Sequence, residues 1–449
     1  MKSHSIFVCQ NCGYSSPGFL GRCPECGAWN SMLEEKTNDQ KSKTKVEVTN
    51  PAQPLHNISV EVKERFSTGI GEFDLVLGGG VVAGSVILIG GRPGIGKSTL
   101  LLQTAFNFSK NGNKVLYVSG EESLSQIKLR AQRLGIERSS ELYLMSETDI
   151  TKVIAEIENI KPSFLIIDSI QVMYHPQLSS SPGTISQVKE CAQELTRVAK
   201  QNFVSTFLIG HVTKEGSLAG PMVLEHIVDA VLYFEGESFL AHRILRAIKN
   251  RFGSTNEIGL FEMTETGLKE VKNPSSIFLL EEQEPAPGNV IVPTLEGTRP
   301  ILIQVQALVA KSYLGFPSRR AVGLDHNRVT LLTAVLERRA GLSLYNQDIY
   351  VNVVGGLKIN EPAVDLGVIA ALISSFYNTP LGTNMIVFGE VGLGGEVRKV
   401  SFADKRIKEA IKLGFKRCII PKGNLLDRDK FDIKMMEISN VKQLIKMVQ

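Results

Sequence analysis

The sequence predicts an α/β protein in which a mostly parallel sheet is covered by helices on both faces, with a small cysteine-rich module before it and an α+β domain after it. Three observations predict this. Gly91-Arg92-Pro93-Gly94-Ile95-Gly96-Lys97-Ser98 fits the G-x-x-x-x-G-K-[ST] pattern, with an apolar run (86–89) before it and a helical pattern from Thr99 behind it, as a phosphate loop requires. Apolar runs at 86–89, 115–118, 164–167, 206–209 and 230–234 alternate with helical periods. Four of the six cysteines stand in two C-x-x-C pairs within the first 26 residues.

A chain of 449 residues suggests about three domains at the usual ~150 residues each. The expected division is a zinc-binding module (1–32), a flexible linker (33–57), a nucleotide-binding domain (58–273), a second linker (274–288) and a third domain (289–449). No run of ~18 apolar residues could cross a bilayer, and Met1-Lys2-Ser3-His4-Ser5 leads into the first cysteine motif without the apolar core of a secretory signal. A cytoplasmic protein with no membrane partner is expected. The net charge of +4 permits nucleic acid as a partner without demanding it.

Taken in order, Cys9-Gln10-Asn11-Cys12 and Cys23-Pro24-Glu25-Cys26 each have a glycine directly after them, Gly13 and Gly27. Two such pairs bring four thiolates to the corners of a tetrahedron, the closed structural site of Zn²⁺, which leaves no position open for water. Tyr14 and Trp29 would either pack against it or stand exposed for a partner, and packing is the favoured role. Cys191 and Cys418 stand alone in apolar-periodic segments and are expected to be buried thiols.

In the phosphate loop, backbone N–H groups and a helix N-terminus would close around phosphate oxygens. Nucleotide contacts are expected from Gly91, Arg92, Pro93, Gly94, Ile95, Gly96, Lys97, Ser98 and Thr99. Lys97 would reach the β- and γ-phosphates of ATP and Ser98 would ligate Mg²⁺. Three further strand ends carry polar residues, and ligands in such sheets sit at the carboxyl ends of the strands. At the first, Glu121 is favoured over Glu122 as the general base for the attacking water, since two adjacent side chains cannot both face the phosphate; the rival role is to begin the next helix. Asp168 closes Phe164-Leu165-Ile166-Ile167 and fits the residue that supports Mg²⁺. His211 ends the third strand and is read either as a γ-phosphate sensor or as an ordinary loop histidine.

Glu121, Asp168 and His211 at consecutive strand ends resemble the RecA-like P-loop ATPase core. Together with the four-cysteine N-terminus, Thr68-Gly69-Ile70-Gly71-Glu72-Phe73-Asp74 and Lys249-Asn250-Arg251-Phe252-Gly253-Ser254-Thr255, the chain resembles the bacterial DNA-repair family RadA, also called Sms. The resemblance implies a homohexameric ring, an ATP hydrolase and helicase-type motor that acts on single-stranded and branched DNA in recombination and repair, beside a recombinase or replisome protein. Lys249 and Arg251, two apart at a strand end, would project from one face. They would stabilise the transferring phosphate from a neighbouring subunit, or contact DNA. Two small-residue loops, 177–184 and 213–221, occupy positions that line the channel of such rings.

In the third domain, Gly355-Gly356-Leu357-Lys358-Ile359-Asn360-Glu361-Pro362-Ala363 and Phe388-Gly389-Glu390-Val391-Gly392-Leu393 are similar to the Lon protease domain. That raises ATP-dependent peptidase as a rival function, beside a RecA-family ATPase with a protein client. Ala363 stands where the Lon pattern has its serine and Asp404 where it has its lysine, so the domain is expected to be proteolytically inactive. Its cations Lys311, Arg319, Arg320, Arg328, Arg338 and Arg339 are read as tracking a phosphate backbone, making ring contacts or lying solvated.

Overall fold

A computed structural model describes residues 4–37, 54, 65–136, 138–211, 221–236, 242–271, 275, 279, 285–313, 316–355, 357–382, 384–425 and 430–448. The chain divides into two compact units, Met1–Val271 and Lys272–Gln449.

The first unit opens with three antiparallel strands, β1 (His4–Cys9), β2 (Ser15–Ser16) and β3 (Met32–Thr37), in the order β2-β1-β3. After each cysteine pair the chain turns back on itself: Gly13 N–H donates to Cys9 C=O and Gly27 N–H to Cys23 C=O, both at 2.9 Å. Both glycines have left-handed φ (76° and 72°), which a residue with a Cβ would adopt only with strain.

The nucleotide-binding part runs β4 (Arg65–Phe66), α1 (Gly71–Leu77), β5 (Val81–Val82), β6 (Val86–Gly91), α2 (Lys97–Lys110), β7 (Val115–Ser119), α3 (Leu124–Arg133), β8 (Leu142–Ser146), α4 (Ile150–Ile160), β9 (Phe164–Asp168), α5 (Ile185–Asn202), β10 (Ser205–His211), α6 (Pro221–Glu225), β11 (Ala230–Glu235), β12 (His242–Asn250), β13 (Ile258–Thr264) and β14 (Gly267–Glu270). Nine strands form one sheet, β14-β13-β12-β11-β6-β10-β9-β7-β8, parallel from β11 to β8 and antiparallel from β12 to β14. The five apolar runs seen in the sequence are its buried centre. Strand alternation sorts them into two cores. Ile87, Ile89, Tyr117, Ile166 and Ile209 pack towards α1 and α2, while Val86, Leu88, Val118, Ile167 and Leu208 pack towards α4 and α5.

The second unit holds a mixed seven-stranded sheet, β17-β18-β16-β15-β19-β22-β23. Its strands are β15 (Asn289–Glu296), β16 (Arg299–Lys311), β17 (Arg319–Val322), β18 (Gln347–Val353), β19 (Met385–Val387), β22 (Arg417–Pro421) and β23 (Lys434–Ile438), with a hairpin of β20 (Glu390–Val391) and β21 (Val397–Arg398) beside it. The apolar helix Asp365–Phe376 packs on it, buried from Asp365 to Ser374. Arg406, wholly buried on the helix Ala403–Lys412, donates to Glu361 and to Pro293 C=O (2.7 Å). Glu361 also accepts from Thr294 Oγ1 (2.9 Å) and Leu295 N–H (2.8 Å), so one ion pair pins the strand β15 to two other elements.

Candidate functional site

The site grows from the ends of four neighbouring parallel strands. Register sets His211 beside Gly91 and Ser119 beside Asp168, so β6, β7, β9 and β10 present their carboxyl ends together. Gly96 lies between the loop and α2 at φ 118°, a conformation that a residue with a Cβ adopts only with strain, and a Cβ there would also crowd Met263 Cε (2.8 Å) and Leu268 Cδ1 (3.1 Å). Lys97 then folds back, and its Nζ donates to Gly91 C=O (2.8 Å) and Arg92 C=O (3.0 Å). Burial pushes the Lys97 ammonium down to about 8, against the upward pull of the Asp168 and Glu121 carboxylates.

Glu121 and Glu122 part company in the turn after β7. The helix α3 starts later, with Ser123 as its N-cap in a capping box with Gln126, so neither glutamate is spent on the helix end. Glu122 pairs with Arg130 of that helix. Glu121 instead lies over the loop: its Oε1 accepts from Ser169 Oγ (2.5 Å) and stands 3.2 Å from His211 Nε2. The other histidine nitrogen, Nδ1, is 3.3 Å from Lys97 Nζ. Asp168 is 5% exposed, and its Oδ2 accepts from the fully buried Tyr117 hydroxyl at 2.6 Å. Asp168 and Ser98 both offer hard oxygens, a donor set that suits Mg²⁺. Tyr117, Ser169 and Gln171, which donates to His211 C=O (3.1 Å), were not singled out in the sequence. They hold the strand-end residues from neighbouring strands, and nothing local to each of them announces it.

Lys249 and Arg251 lie at the opposite end of the sheet's parallel strands, where β6 begins. The strand β12 is antiparallel to β11, with Asn250 opposite Ala230, which in turn is opposite Ile87 near the start of β6. A bulge between Val231 and Leu232 shifts the register and sets Lys249 opposite Val231. Lys249 Nζ donates to Val228 C=O (2.9 Å) and to Glu225 C=O, and Arg251 NH1 donates to Asp229 Oδ1 (3.2 Å). Burial and the neighbouring Arg251 lower the Lys249 ammonium below its ordinary value. Along the strand direction, at 3.3 Å per residue, Arg251 is level with Val86, roughly 16 Å from Gly91, and Lys249 is level with Leu88, roughly 10 Å from it, and both side chains are bonded at residues 225–229 rather than at the phosphate loop.

In the cysteine module the four Sγ atoms of Cys9, Cys12, Cys23 and Cys26 all lie within 4.8 Å of one another, and all four thiols are free. A Zn²⁺ tetrahedron with bonds of 2.3 Å has edges of about 3.8 Å, which the closest pairs, Cys9–Cys26 (3.6 Å) and Cys12–Cys23 (3.5 Å), already approach. The residues fit the ion. Tyr14 packs against this cluster as expected. Trp29 does not: it is 72% exposed, with the Arg22 guanidinium 5.6 Å from its ring, and Met32 of β3 joins Cys9 and Cys23 in the buried cluster instead.

The 177–184 loop is tied to α5 by buried Gln187, which accepts from His175 N–H (2.7 Å) and donates to Ser180 C=O (2.8 Å). Residues 213–220 of the other loop lie outside the described residues. Asp74 in the 68–74 motif is absorbed locally by Ser67 Oγ (2.6 Å) and Thr68 N–H (2.8 Å). Arg328 is paired with buried Asp365 while its side chain stays partly exposed. Cys191 and Cys418 are fully buried, and burial pushes both thiols up to about 12.

Comparison with known proteins matches this order. A family model for the AAA domain matches residues 52–217, one described as a rubredoxin metal-binding domain matches 7–34, and one described as subunit ChlI of Mg-chelatase matches 312–424. DNA repair protein RadA of Bacillus subtilis is 52% identical, aligned over 99% of this chain and 98% of its own. This chain belongs to the RadA family. RadA of Streptococcus pyogenes is 51% identical over 100% of this chain and 99% of its own, and RadA of Listeria monocytogenes is 50% identical over 94% and 93%. The RadA chain thus carries a zinc ribbon, a RecA-like ATPase core and a ChlI- and Lon-like domain, in that order. Among its described residues, no helix is long and apolar enough to cross a membrane.

Proposed function

We propose that this RadA-family chain is a cytoplasmic DNA-dependent ATPase that works as a helicase-type motor, migrating the branches of recombination intermediates during DNA repair. Support comes first from its relatives, which are named as DNA repair proteins along their whole length. The observation that carries the motor is the distance between Lys249 and Arg251 and the phosphate loop of their own chain. Cations held away from their own nucleotide can serve the nucleotide of the next copy, which calls for a closed ring. A hexamer follows from the family resemblance.

In the composite site, Lys97 would grip the β- and γ-phosphates, and Ser98 and Asp168 would hold Mg²⁺, which when bound neutralises phosphate charge. Glu121 would orient a water and take its proton as the water attacks the γ-phosphorus and the bond to ADP breaks. His211, poised between Lys97 and Glu121, would report whether the γ-phosphate is present. Lys249 and Arg251 of the adjacent copy would stabilise the charge on the transferring group. The zinc ribbon would recruit a recombinase or replisome protein, while residues 289–449 serve as a scaffold without peptidase chemistry, given Ala363 and Asp404 where the Lon pair would stand.

A branched-DNA unwinding assay with ATP against a non-hydrolysable analogue tests this, together with stimulation of ATP turnover by single-stranded DNA. Unwinding with ATP alone supports the motor. Hydrolysis that depends on Lys97 but ignores DNA, with no unwinding, would sink it and leave an ATPase with a protein client.

A further inference from the structure

Asp229, the residue before β11, is buried to 4% exposure and takes three donors on one carboxylate. Its Oδ2 accepts from Val86 N–H (3.1 Å), and its Oδ1 accepts from Arg251 NH1 (3.2 Å) and Lys200 Nζ (3.2 Å). The backbone repeats the connection: Asp229 N–H donates to Val86 C=O (2.9 Å) and Asp229 C=O accepts from Arg251 N–H (3.1 Å). Val86 is the first residue of β6, the strand whose last residue, Gly91, opens the phosphate loop.

A neutral acceptor would satisfy the Val86 N–H. Burying a charge there costs several kcal/mol unless cations compensate it, so the charge needs a reason that the strand end does not supply. The reason on hand is Arg251, whose backbone is already fixed by Asp229 C=O and whose side chain, half exposed, would otherwise sample many rotamers. A guanidinium held on a buried, backbone-anchored oxygen has fewer directions open to its remaining N–H groups.

We infer that Asp229 is a positioning residue that aims Arg251 at the nucleotide of the adjacent copy and registers it to the strand carrying its own chain's phosphate loop. The inference rests on the composite-site reading above.

Steady-state ATP turnover by full-length chains, alone and mixed, tests it. Asp229→Asn keeps an acceptor for Val86 N–H and removes the charge. It should lower kcat about tenfold or more while KM for ATP and the melting temperature stay near wild type, the pattern of a lost transition-state interaction. Asp229→Asn combined with Arg251→Ala should turn over no more slowly than Arg251→Ala alone, because both act through one group. Mixed in equal amounts with Lys97→Ala, the Asp229→Asn chain should regain activity, since about a quarter of the interfaces in a randomly mixed ring pair an intact loop with an intact finger.

Wild-type kcat in Asp229→Asn overturns the inference, as does a double variant slowed by the product of the two single effects. Failure of Asp229→Asn to recover on mixing, when Arg251→Ala does recover, assigns Asp229 to its own loop or fold and also overturns it. Failure of Arg251→Ala itself to recover brings down the composite site instead. Should the asparagine chain not assemble, Asp229→Glu displaces the same charge by one methylene and is read by the same mixing experiment, where recovery supports the inference and its absence overturns it.

Discussion

Glu121 and His211 meet over the mouth of the phosphate loop, carboxylate Oε1 to imidazole Nε2 at 3.2 Å, while the second ring nitrogen stands 3.3 Å from Lys97 Nζ. The glutamate is thereby placed beside the group that would hold the γ-phosphate, and Glu122, one residue on, is spent on Arg130. Glu121→Gln should cut kcat for ATP by about 10²–10⁴-fold while nucleotide affinity is kept, as expected for removal of a general base. Glu122→Gln should stay within a few-fold of wild type in kcat. Turnover measured beside equilibrium nucleotide binding separates the two residues, and equal losses would refute the assignment.

The lowered Lys97 ammonium gives the site a pH signature. Its value of about 8 in the free protein lies below the ordinary 10.5, so the folded chain binds fewer protons than the unfolded one between those values. The cost of burying this group is therefore complete below pH 8 and relieved as pH rises towards 10.5. Nucleotide acts in the opposite sense, since phosphate oxygens favour the ammonium. Through Lys97, binding should take up a proton above pH 8 and none near pH 6.5, and that uptake should weaken affinity roughly fivefold between pH 8 and 9. Calorimetry in buffers of different ionisation enthalpy reads the uptake directly, and Lys97→Met should abolish it.

Why some of this was legible in the sequence and some was not follows from distance along the chain. The phosphate loop is a local object: the spacing from Gly91 to Ser98 encodes the backbone path and the helix start together. The five central strands were visible because burial on both faces makes them continuous apolar runs. The edge strand β8 and the antiparallel β13 and β14 are short or half-exposed, and their patterns do not stand out from loop sequence. Asp229 was invisible because its partners Val86, Lys200 and Arg251 are 143, 29 and 22 residues away. Tyr117 and Asp168, 51 residues apart, meet only because β7 and β9 are neighbours in the sheet. Trp29 was misjudged for a different reason: composition does not say which aromatic of a small module has room to turn inward.

The hydroxyl of Tyr117 offers a test of the magnesium assignment. Tyr117→Phe fills nearly the same space but leaves Asp168 Oδ2 buried without its donor, at a cost of about 1–3 kcal/mol. If Asp168 supports Mg²⁺, the Mg²⁺ concentration for half-maximal ATP turnover should shift several-fold, and saturating Mg²⁺ should restore most of kcat. A lower melting temperature with an unchanged Mg²⁺ profile would limit the hydroxyl to packing.

Metal removal should act on one region alone. Full-length protein should carry one zinc ion per chain by metal analysis, and Cys12→Ser or Cys23→Ser should lose it, since a closed four-thiolate site does not survive the loss of one ligand at neutral pH. The consequence is local because the core of this module is little more than Cys9, Cys23 and Met32 with a few partly buried neighbours. Without the ion, hydrogen exchange in residues 4–37 should approach that of an unfolded segment, while the protection of β6, β9 and β10, which rests on the two sheet cores, stays unchanged. Nucleotide affinity should stay unchanged as well. Loss of protection across the sheet on zinc removal would mean that the module is structurally coupled to the ATPase core.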